Sequence, residues 1–260
     1  MSSIFKTSDK KALTYLNKSI IFGFEITEIK AACNNFCYLI KQGVGKYVLY
    51  IPEDVKIPRK LGSELEHKLE ALRGDLQVIG GKGIVDAESL FANIRVKELD
   101  LSRMSLESCR TAVNMFYYAY VRNLIMGEKN TPYLNNTRGM FKYFNSDILF
   151  EDSVKIEIDL NSWDMSNVEI MIDMFFLANI SELYIDNWNI NKDCVITGAF
   201  NNIQVDTLNL KAFNLRELYK GYSFMSGSKI RQLFINEEDY KDSGVRKRVH
   251  ESSTFMLIKF

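Results

Sequence analysis

The chain has 260 residues, of which 47% are hydrophobic and 25% are charged, and its 33 basic and 33 acidic side chains give zero formal net charge. This composition is typical of a folded globular protein and excludes extensive disorder. Because the sequence pI is about 6.8, overall charge attracts neither nucleic acid nor anionic membranes, and we expect no direct binding to either.

Residues 1–19, MSSIFKTSDKKALTYLNKS, carry charge throughout and contain no uninterrupted apolar run. We therefore expect neither a secretory signal nor a membrane span, and we predict a cytoplasmic location. The four cysteines should then stay reduced, and their apolar neighbours favour buried side chains. These residues are Cys33, Cys37, Cys109 and Cys194.

Residues 1–75 lack the periodicity of the later sequence and are predicted to form an α+β N-terminal cap. A helix is expected from Ser8, and CYLIKQGVGKYVLYIP indicates two strands joined at a glycine-containing turn. In SELEHKLEALRG the leucines share one helical face and Gly74 ends the helix. The segment LQVIGG, which follows, is interpreted as a degenerate first strand of the repeat.

Residues 76–236 contain a repeat, which appears when the chain is aligned with itself. The apolar pair Leu99 and Leu101 recurs at intervals of 25, 34, 25, 25 and 25 residues, and we call the first residue of each pair the marker. The markers are Leu99, Leu124, Ile158, Leu183, Leu208 and Leu233. Eight residues before the markers stands a second column: Phe91, Phe116, Phe175, Phe200 and Met225. Phe141 follows Phe116 by the same 25 residues, so one insertion within residues 142–157 explains the 34-residue interval between the markers Leu124 and Ile158.

A period of this length predicts a solenoid of about six 25-residue coils. The alternation around each marker predicts a short strand with one buried face, so that stacked coils form a parallel sheet. Large residues stand five positions after most markers: Met104, Trp163, Trp188 and Phe213. The near-helical spacing of Val168, Met171 and Phe175 predicts a short helix or 3₁₀ turn that closes each coil.

Residues 237–260 include two apolar runs and are predicted to form a short β C-terminal cap. A cap is needed here because the last strand of a solenoid otherwise presents an open edge.

The sequence of residues 158–175, IDLNSWDMSNVEIMIDMF, resembles the BspA-like leucine-rich repeat, whose unit runs roughly Leu-Asp-Leu-Ser-x-Phe/Trp-Asp-x-Ser-x-Val-x-x-Met-x-x-Met-Phe. Weaker copies extend the resemblance over about residues 90–236. It implies an α/β solenoid, a leucine-rich-repeat-like right-handed coil with a parallel sheet on one face, used for protein binding and commonly found on cell surfaces. The expected lack of an export signal departs from that use.

The sequence contains no recognisable catalytic, metal-binding or phosphate-binding motif. His67 and His250 are the only histidines, and GGKG at residues 80–83 lacks the spacing of a phosphate-binding loop, so it is interpreted as a turn between coils. We predict no catalytic residues, no metal site, no cofactor and no enzymatic activity.

Outward-facing strand positions near the markers are rich in acidic residues. Six carboxylates and two aromatic side chains stand there beside one lysine, Lys211: Glu98, Asp100, Glu157, Asp159, Glu182, Tyr184, Asp186 and Phe234. Like charges on neighbouring strands repel, so stability alone does not favour this arrangement. Two interpretations remain: a solvated face that keeps the sheet soluble, and a partner-binding face with Tyr184 and Phe234 as anchors.

An acidic face with aromatic anchors suits a basic protein surface, and nucleic-acid-binding proteins often present such surfaces. The first hypothesis is therefore a non-enzymatic intracellular inhibitor or adaptor, for example a phage or mobile-element anti-defence protein acting on a nucleic-acid-binding complex. The alternative is a surface or virion-associated adhesion protein of the BspA-like type. An enzyme is the third alternative.

Overall fold

The computed structural model describes residues 5, 8–30, 36–53, 63–146, 156–218 and 223–259. Its N-terminal part comprises α1 (Lys10–Ile21), β1 (Glu25–Lys30), β2 (Phe36–Gly43), β3 (Lys46–Ile51) and α2 (Ser63–Glu70). The helix predicted near Ser8 is α1, which begins after Asp9, whose carboxylate accepts a hydrogen bond from the backbone N–H of Lys11. The two predicted strands form the antiparallel β2–β3 hairpin. Strand β1 was not predicted, and it pairs with β2.

The apolar face of α1 covers one side of this hairpin. Ala12 and Leu16 are fully buried and pack in a cluster with Tyr38, Ile40 and Val48. The opposite side of the hairpin contributes Leu39, Leu49 and Ile51 to the main core. Because alternate strand residues point to opposite faces, the hairpin packs against α1 on one side and against the main core on the other.

The repeat forms parallel strands: β4 (Asp75–Gly80), β5 (Arg95–Met104), β6 (Tyr120–Ile125), β7 (Glu157–Asp159), β8 (Glu182–Tyr184), β9 (Gln204–Asn209) and β10 (Ser228–Phe234). Markers of neighbouring strands are paired in register. Leu99 pairs with Leu124 in one sheet, and Ile158, Leu183, Leu208 and Leu233 pair in succession in the other. The predicted solenoid with a parallel sheet on one face is confirmed. The segment LQVIGG is β4, which joins the hairpin strand β3 to the solenoid by parallel pairing on both sides.

The phenylalanine column forms the centre of the solenoid core. Phe91, Phe116, Phe141, Phe175 and Phe200 are all fully buried. Their rings stack from coil to coil with centroid separations of 5.5, 4.8, 5.4 and 5.4 Å. Such stacks are stabilised by apolar burial together with favourable ring contacts. The stack is continuous across the insertion, because Phe141 and Phe175 lie on either side of it.

Of the predicted short helix or 3₁₀ turn at the close of each coil, the helix is wrong for the described coils before residue 213, whereas turns with i→i+3 hydrogen bonds are present, such as Met174 N–H to the Met171 carbonyl at 3.3 Å. These segments are turns that form hydrogen bonds to the next coil, for example from Phe141 N–H to the Met174 carbonyl at 2.7 Å. In most coils two residues of the closing segment adopt positive φ, such as Asn114 and Tyr118, or Asp173 and Leu177. These left-handed residues turn the chain at each step. The backbone N–H and C=O groups therefore lie along the solenoid axis and form hydrogen bonds between coils, not within a helix.

The C-terminal part contains α3 (Leu215–Leu218), α4 (Glu237–Lys241), α5 (Ser243–Ser252) and β11 (Ser253–Lys259). The predicted β cap corresponds to β11, which pairs in parallel with β10. The sequence did not predict helices α4 and α5. Buried Asp239 on α4 accepts hydrogen bonds from Leu215 N–H at 3.1 Å and Arg216 Nε at 3.0 Å, and so joins the cap to the last coil.

Three of the four cysteines, Cys37, Cys109 and Cys194, are buried free thiols as predicted, while Cys33 lies outside the described residues. Burial raises the pKa of each of the three thiols to about 12. Across the described part of the chain, we find no helix with the length and apolar character that a bilayer span requires.

Candidate functional site

Five of the predicted partner-binding residues lie together on two adjacent strands. Glu157 and Asp159 stand on β7, Glu182 and Tyr184 on β8, and Asp186 follows β8. The register pairs Glu157 with Glu182 and Asp159 with Tyr184. Because hydrogen-bonded strands lie ~4.8 Å apart, one partner can contact all five side chains. We refer to these five residues as the acidic centre.

The acidic centre is exposed and its charge is not neutralised. Tyr184 is 38% exposed, and within the described residues none of the four carboxylates forms an ion pair. Partial burial and then the negative charges of Glu157, Glu182, Asp159 and Asp186 raise the pKa of the Tyr184 phenol. Asp159 accepts a hydrogen bond from Asn161 N–H at 2.9 Å, and Asp186 accepts one from the Asn209 side chain, which leaves their charge intact.

The remaining predicted residues lie apart from the acidic centre and have partners of their own. Glu98 and Asp100 stand on β5, where Glu98 accepts a hydrogen bond from Asn123 Nδ2 at 2.8 Å and Asp100 accepts one from Gln77 Nε2 at 2.7 Å. Burial acts to raise the pKa of Asp100, but hydrogen bonds from Ser102 and Gln77 outweigh it, so this pKa lies below its ordinary value.

Phe234 lies on β10, two strands away from β8, and is half-buried. Its ring lies 5.6 Å from Lys211 Nζ, a distance that suits a cation–π contact. It therefore lies outside the acidic centre.

Basic residues that sequence reasoning missed also face outward on the sheet. In β5 both Lys97 and Glu98 lie between the inward residues Val96 and Leu99, so strict alternation fails there. The resulting exposed columns, two and four residues before the markers, add these cations: Arg95, Lys97, Arg122, Lys229 and Arg231. On β7 and β8 the same two columns carry no basic residue among the described positions. The negative face is therefore confined to the acidic centre instead of running along the whole sheet.

A wedge-shaped cleft opens beside the acidic centre. The described strands form two sheets, ordered β1-β2-β3-β4-β5-β6 and β11-β10-β9-β8-β7, without a ladder between β6 and β7. The gap, which we call the wedge, has a volume of about 830 Å³. Its lining comprises Arg122, Asn123, Leu124, Ile125, Met126, Gly127, Glu128, Ile156, Glu157, Asp159, Asn161, Ser162, Tyr184 and Asn187. Sequence reasoning placed the insertion here but did not predict an opening in the sheet.

Asn145 holds the beginning of β6 at the wedge. Its side-chain amide accepts a hydrogen bond from Val121 N–H and donates one to the Val121 carbonyl, each at 2.9 Å. Both bonds are buried, and Asn145 itself is only 7% exposed, with φ of 49°. The amide thus replaces the peptide group that a neighbouring strand would offer to Val121.

Lys129 holds the other end of β6. It stands five residues after the marker Leu124, in the column of Trp163 and Trp188, yet it is only 4% exposed. Its Nζ donates a hydrogen bond to the Leu101 carbonyl at 2.8 Å and a second one to the Met126 carbonyl. These carbonyls follow the markers of two successive coils by two residues. Lys129 therefore caps the end of β6 and ties it to β5.

The two tryptophans of this column show what the wedge changes. Trp188 Nε1 donates a hydrogen bond to the Leu160 carbonyl at 2.8 Å, the position equivalent to Leu101. The buried Trp163 Nε1 has no hydrogen-bond partner in the described structure. In the repeat its equivalent acceptor is the Met126 carbonyl, which accepts from Lys129 instead. The pattern of hydrogen bonds is thus interrupted at the wedge.

We expect Lys129 to make stability depend on pH in the alkaline range. Burial lowers its pKa from the ordinary 10.5 to about 8, although the charge of Asp100 opposes this shift. Between these two values the unfolded chain binds more protons at this site, so the contribution of Lys129 to the unfolding free energy rises with pH. From about pH 7.5 to about pH 10.5, we expect a gain of roughly 1–3 kcal/mol for the parent relative to Lys129→Met.

Urea denaturation of both proteins across this pH range measures the difference. Tyrosines and buried thiols titrate in both proteins, so their contributions cancel in the comparison. A difference in unfolding free energy that stays constant with pH would contradict the account of Lys129.

An exposed aromatic edge lies on the closing turns, away from the acidic centre. Tyr118 and Tyr143 stack with ring centroids 4.5 Å apart, and Leu177 continues the column. All three have positive φ, in a column that other coils fill with Asn93 and Asn202. Large side chains are uncommon in this conformation. The asparagines that recur in this column indicate a left-handed backbone position, but the sequence analysis did not use this pattern.

Comparison with known proteins places the repeat in a family. Two overlapping matches, to residues 85–213 and 145–236, are to the family model described as "Mycoplasma protein of unknown function, DUF285". Together they span the six strands β5–β10, including both walls of the wedge. Neither a curated protein nor a solved structure matches the chain. Because the matched residues make up more than half of the chain, the protein belongs to the DUF285 family.

Proposed function

We propose that this chain is a non-enzymatic protein-binding solenoid whose acidic centre docks on a basic protein surface. The observation that supports this most is the grouping of four carboxylates around Tyr184 without an ion pair among the described residues. Such a grouping repels itself on neighbouring strands, and a basic partner relieves that repulsion while guiding association. Tyr184 adds the kind of aromatic anchor found at the centre of binding interfaces.

The proposal includes a cytoplasmic role as an inhibitor or adaptor. Nucleic-acid-binding complexes present strongly basic surfaces, so they are the first class of partner to test. An anti-defence role for a phage or mobile element belongs to the same proposal. Adhesion of the BspA-like type is the competing role, and it places the protein on the surface of a cell or virion.

A triple variant separates binding from folding. Tyr184→Ala, Asp159→Lys and Glu182→Lys remove the anchor and reverse two charges, and exposed changes of this kind move stability by only ~0.5 kcal/mol each. We expect the affinity for the captured partner to fall by about 2 kcal/mol or more. The measurement is capture from the native host's lysate, followed by titration of the recovered partner against the parent and the variant.

The matched control carries the same change in charge and loses one exposed tyrosine on the closing-turn side: Tyr133→Ala, Glu169→Lys and Asp193→Lys. These three residues are exposed. The control should bind like the parent, and thermal melting should show that all three proteins are folded. Equal binding by the parent and the Tyr184 triple variant, or a captured partner without a basic surface, would refute the proposal.

A further inference from the structure

The wedge is a local opening in an otherwise continuous solenoid. On the closing-turn side, Asn136 and Ile170 form a parallel bridge across the same pair of coils. In the core, the rings of Phe141 and Phe175 stack 5.4 Å apart with an interplanar angle of 4°. The two coils are thus held at normal spacing on one side and separated only where β6 faces β7.

Strand β6 has an edge at the wedge without a paired strand among those described. Its Val121 peptide is satisfied by Asn145 and the Met126 carbonyl by Lys129. Between these two ends, residues 122–125 pair only with β5. An open strand edge is a template for the backbone of another chain, and side-chain caps at its ends limit what can add to it.

The walls and floor of the wedge differ in chemistry. Leu124, Met126 and Ile156 form an apolar floor. Among the described residues of the lining, Glu128, Glu157 and Asp159 give the walls a negative charge that exceeds that of the one cation, Arg122. In an extended peptide alternate side chains point in opposite directions, so a segment that alternates apolar and basic residues matches both the floor and the walls.

We propose that the wedge binds an extended polypeptide segment with alternating apolar and lysine or arginine residues, which pairs with the exposed edge of β6. Strand addition obtains affinity from backbone hydrogen bonds and specificity from alternate side chains. This inference rests on the proposed function and specifies which part of a basic partner is bound. It assigns the acidic walls to strand recognition and distinguishes Glu157 and Asp159 from Glu182, which does not line the wedge.

Three probe peptides test the inference by fluorescence anisotropy at physiological ionic strength. They are acetylated (Lys-Val)₄, the block peptide Lys₄Val₄ with the same composition, and (Glu-Val)₄ with the opposite charge. We expect (Lys-Val)₄ to bind the parent roughly tenfold more tightly than the block peptide, because only alternation satisfies floor and walls together. The acidic peptide should not bind.

Isosteric variants locate the binding. Glu157→Gln with Asp159→Asn should weaken (Lys-Val)₄ binding roughly tenfold, whereas Glu169→Gln with Asp193→Asn, which removes the same charge from exposed positions on the closing-turn side, should change it less than about twofold. Bound peptide should also slow hydrogen exchange at amides 122–125 of β6, while those of β9 stay unchanged.

Several outcomes overturn strand addition. Equal binding of the alternating and block peptides, or equal loss in the closing-turn and wedge variants, indicates general electrostatic attraction in place of strand addition, and the proposed function then stands alone. Binding without slower exchange in β6, or no binding of (Lys-Val)₄ to the folded parent, refutes the inference. Failure of the proposed function itself is recognised separately, by the captured partner and the Tyr184 triple variant.

Discussion

Phe175→Ala is expected to lower the unfolding free energy by about 3–5 kcal/mol, because it removes a fully buried ring and leaves a cavity. Phe175 stacks on Phe141 and Phe200 at 5.4 Å on both sides, so the cavity interrupts the central column of the core. Chemical denaturation monitored by circular dichroism measures the loss. The same change tests the register of all coils, since it was placed by the 25-residue period alone.

Phe176→Ala is the matched control for this prediction. Phe176 is the next residue along the chain, but it is only half-buried and lies on the closing-turn side with Lys142 Nζ 4.7 Å from its ring. Its loss should cost well under half of the Phe175 effect. Similar losses for the two variants, or a change near zero for Phe175→Ala, would disprove the assigned core.

Asn145→Gly is expected to be the second strongly destabilising change. It removes both buried hydrogen bonds to Val121, and a buried backbone group left without a partner costs about 1–3 kcal/mol. Glycine tolerates the φ of 49° at this position, so backbone strain does not contribute to the loss. The unfolding free energy, together with hydrogen exchange at Val121, measures the effect.

Asn93→Gly controls for the gain in backbone freedom. Asn93 also has positive φ, at 58°, but it is exposed and its side-chain amide donates a surface hydrogen bond to Glu70. The control should lose much less stability and leave exchange at Val121 unchanged. If both variants lose the same amount, the amide of Asn145 has no special role at the edge of β6.

The sequence predicted the inward-facing residues of the solenoid well. Leu99, Leu124, Leu183 and Leu208 occupy corresponding register positions because each coil buries the same positions, so the period records the core directly. The helices α4 and α5 escaped prediction because this terminal segment lies outside the repeat, where only local patterns were available.

The helical alternative for the closing turns was wrong, although the sequence contained a signal for left-handed residues. Near-helical spacing of Val168, Met171 and Phe175 indicated a helix, and all three are indeed buried. The same spacing also fits a chain that turns through left-handed residues such as Asp173. Asparagine, aspartate and glycine recur at these positions, which is the composition that positive φ favours.

The residues of the acidic centre on β7 and β8 could be placed on the outward face because buried and outward residues alternate on these short strands. The count of six acidic residues against one lysine was incomplete, because irregular alternation in β5 exposes Lys97 as well as Glu98. The wedge could not be predicted from the sequence, because the position of an insertion does not show whether the strands on either side of it pair. Residues 147–155 of the insertion lie outside the described residues.

The most direct test of the proposed binding face is a hydrogen-exchange footprint of the full chain with its captured basic partner. We expect slower exchange in residues 157–162 and 182–187, which carry the acidic centre and one wall of the wedge. The closing turns and the β2–β3 hairpin should exchange as in the free protein. Protection confined to the hairpin or to the closing turns around Tyr118 and Tyr143 would contradict the account.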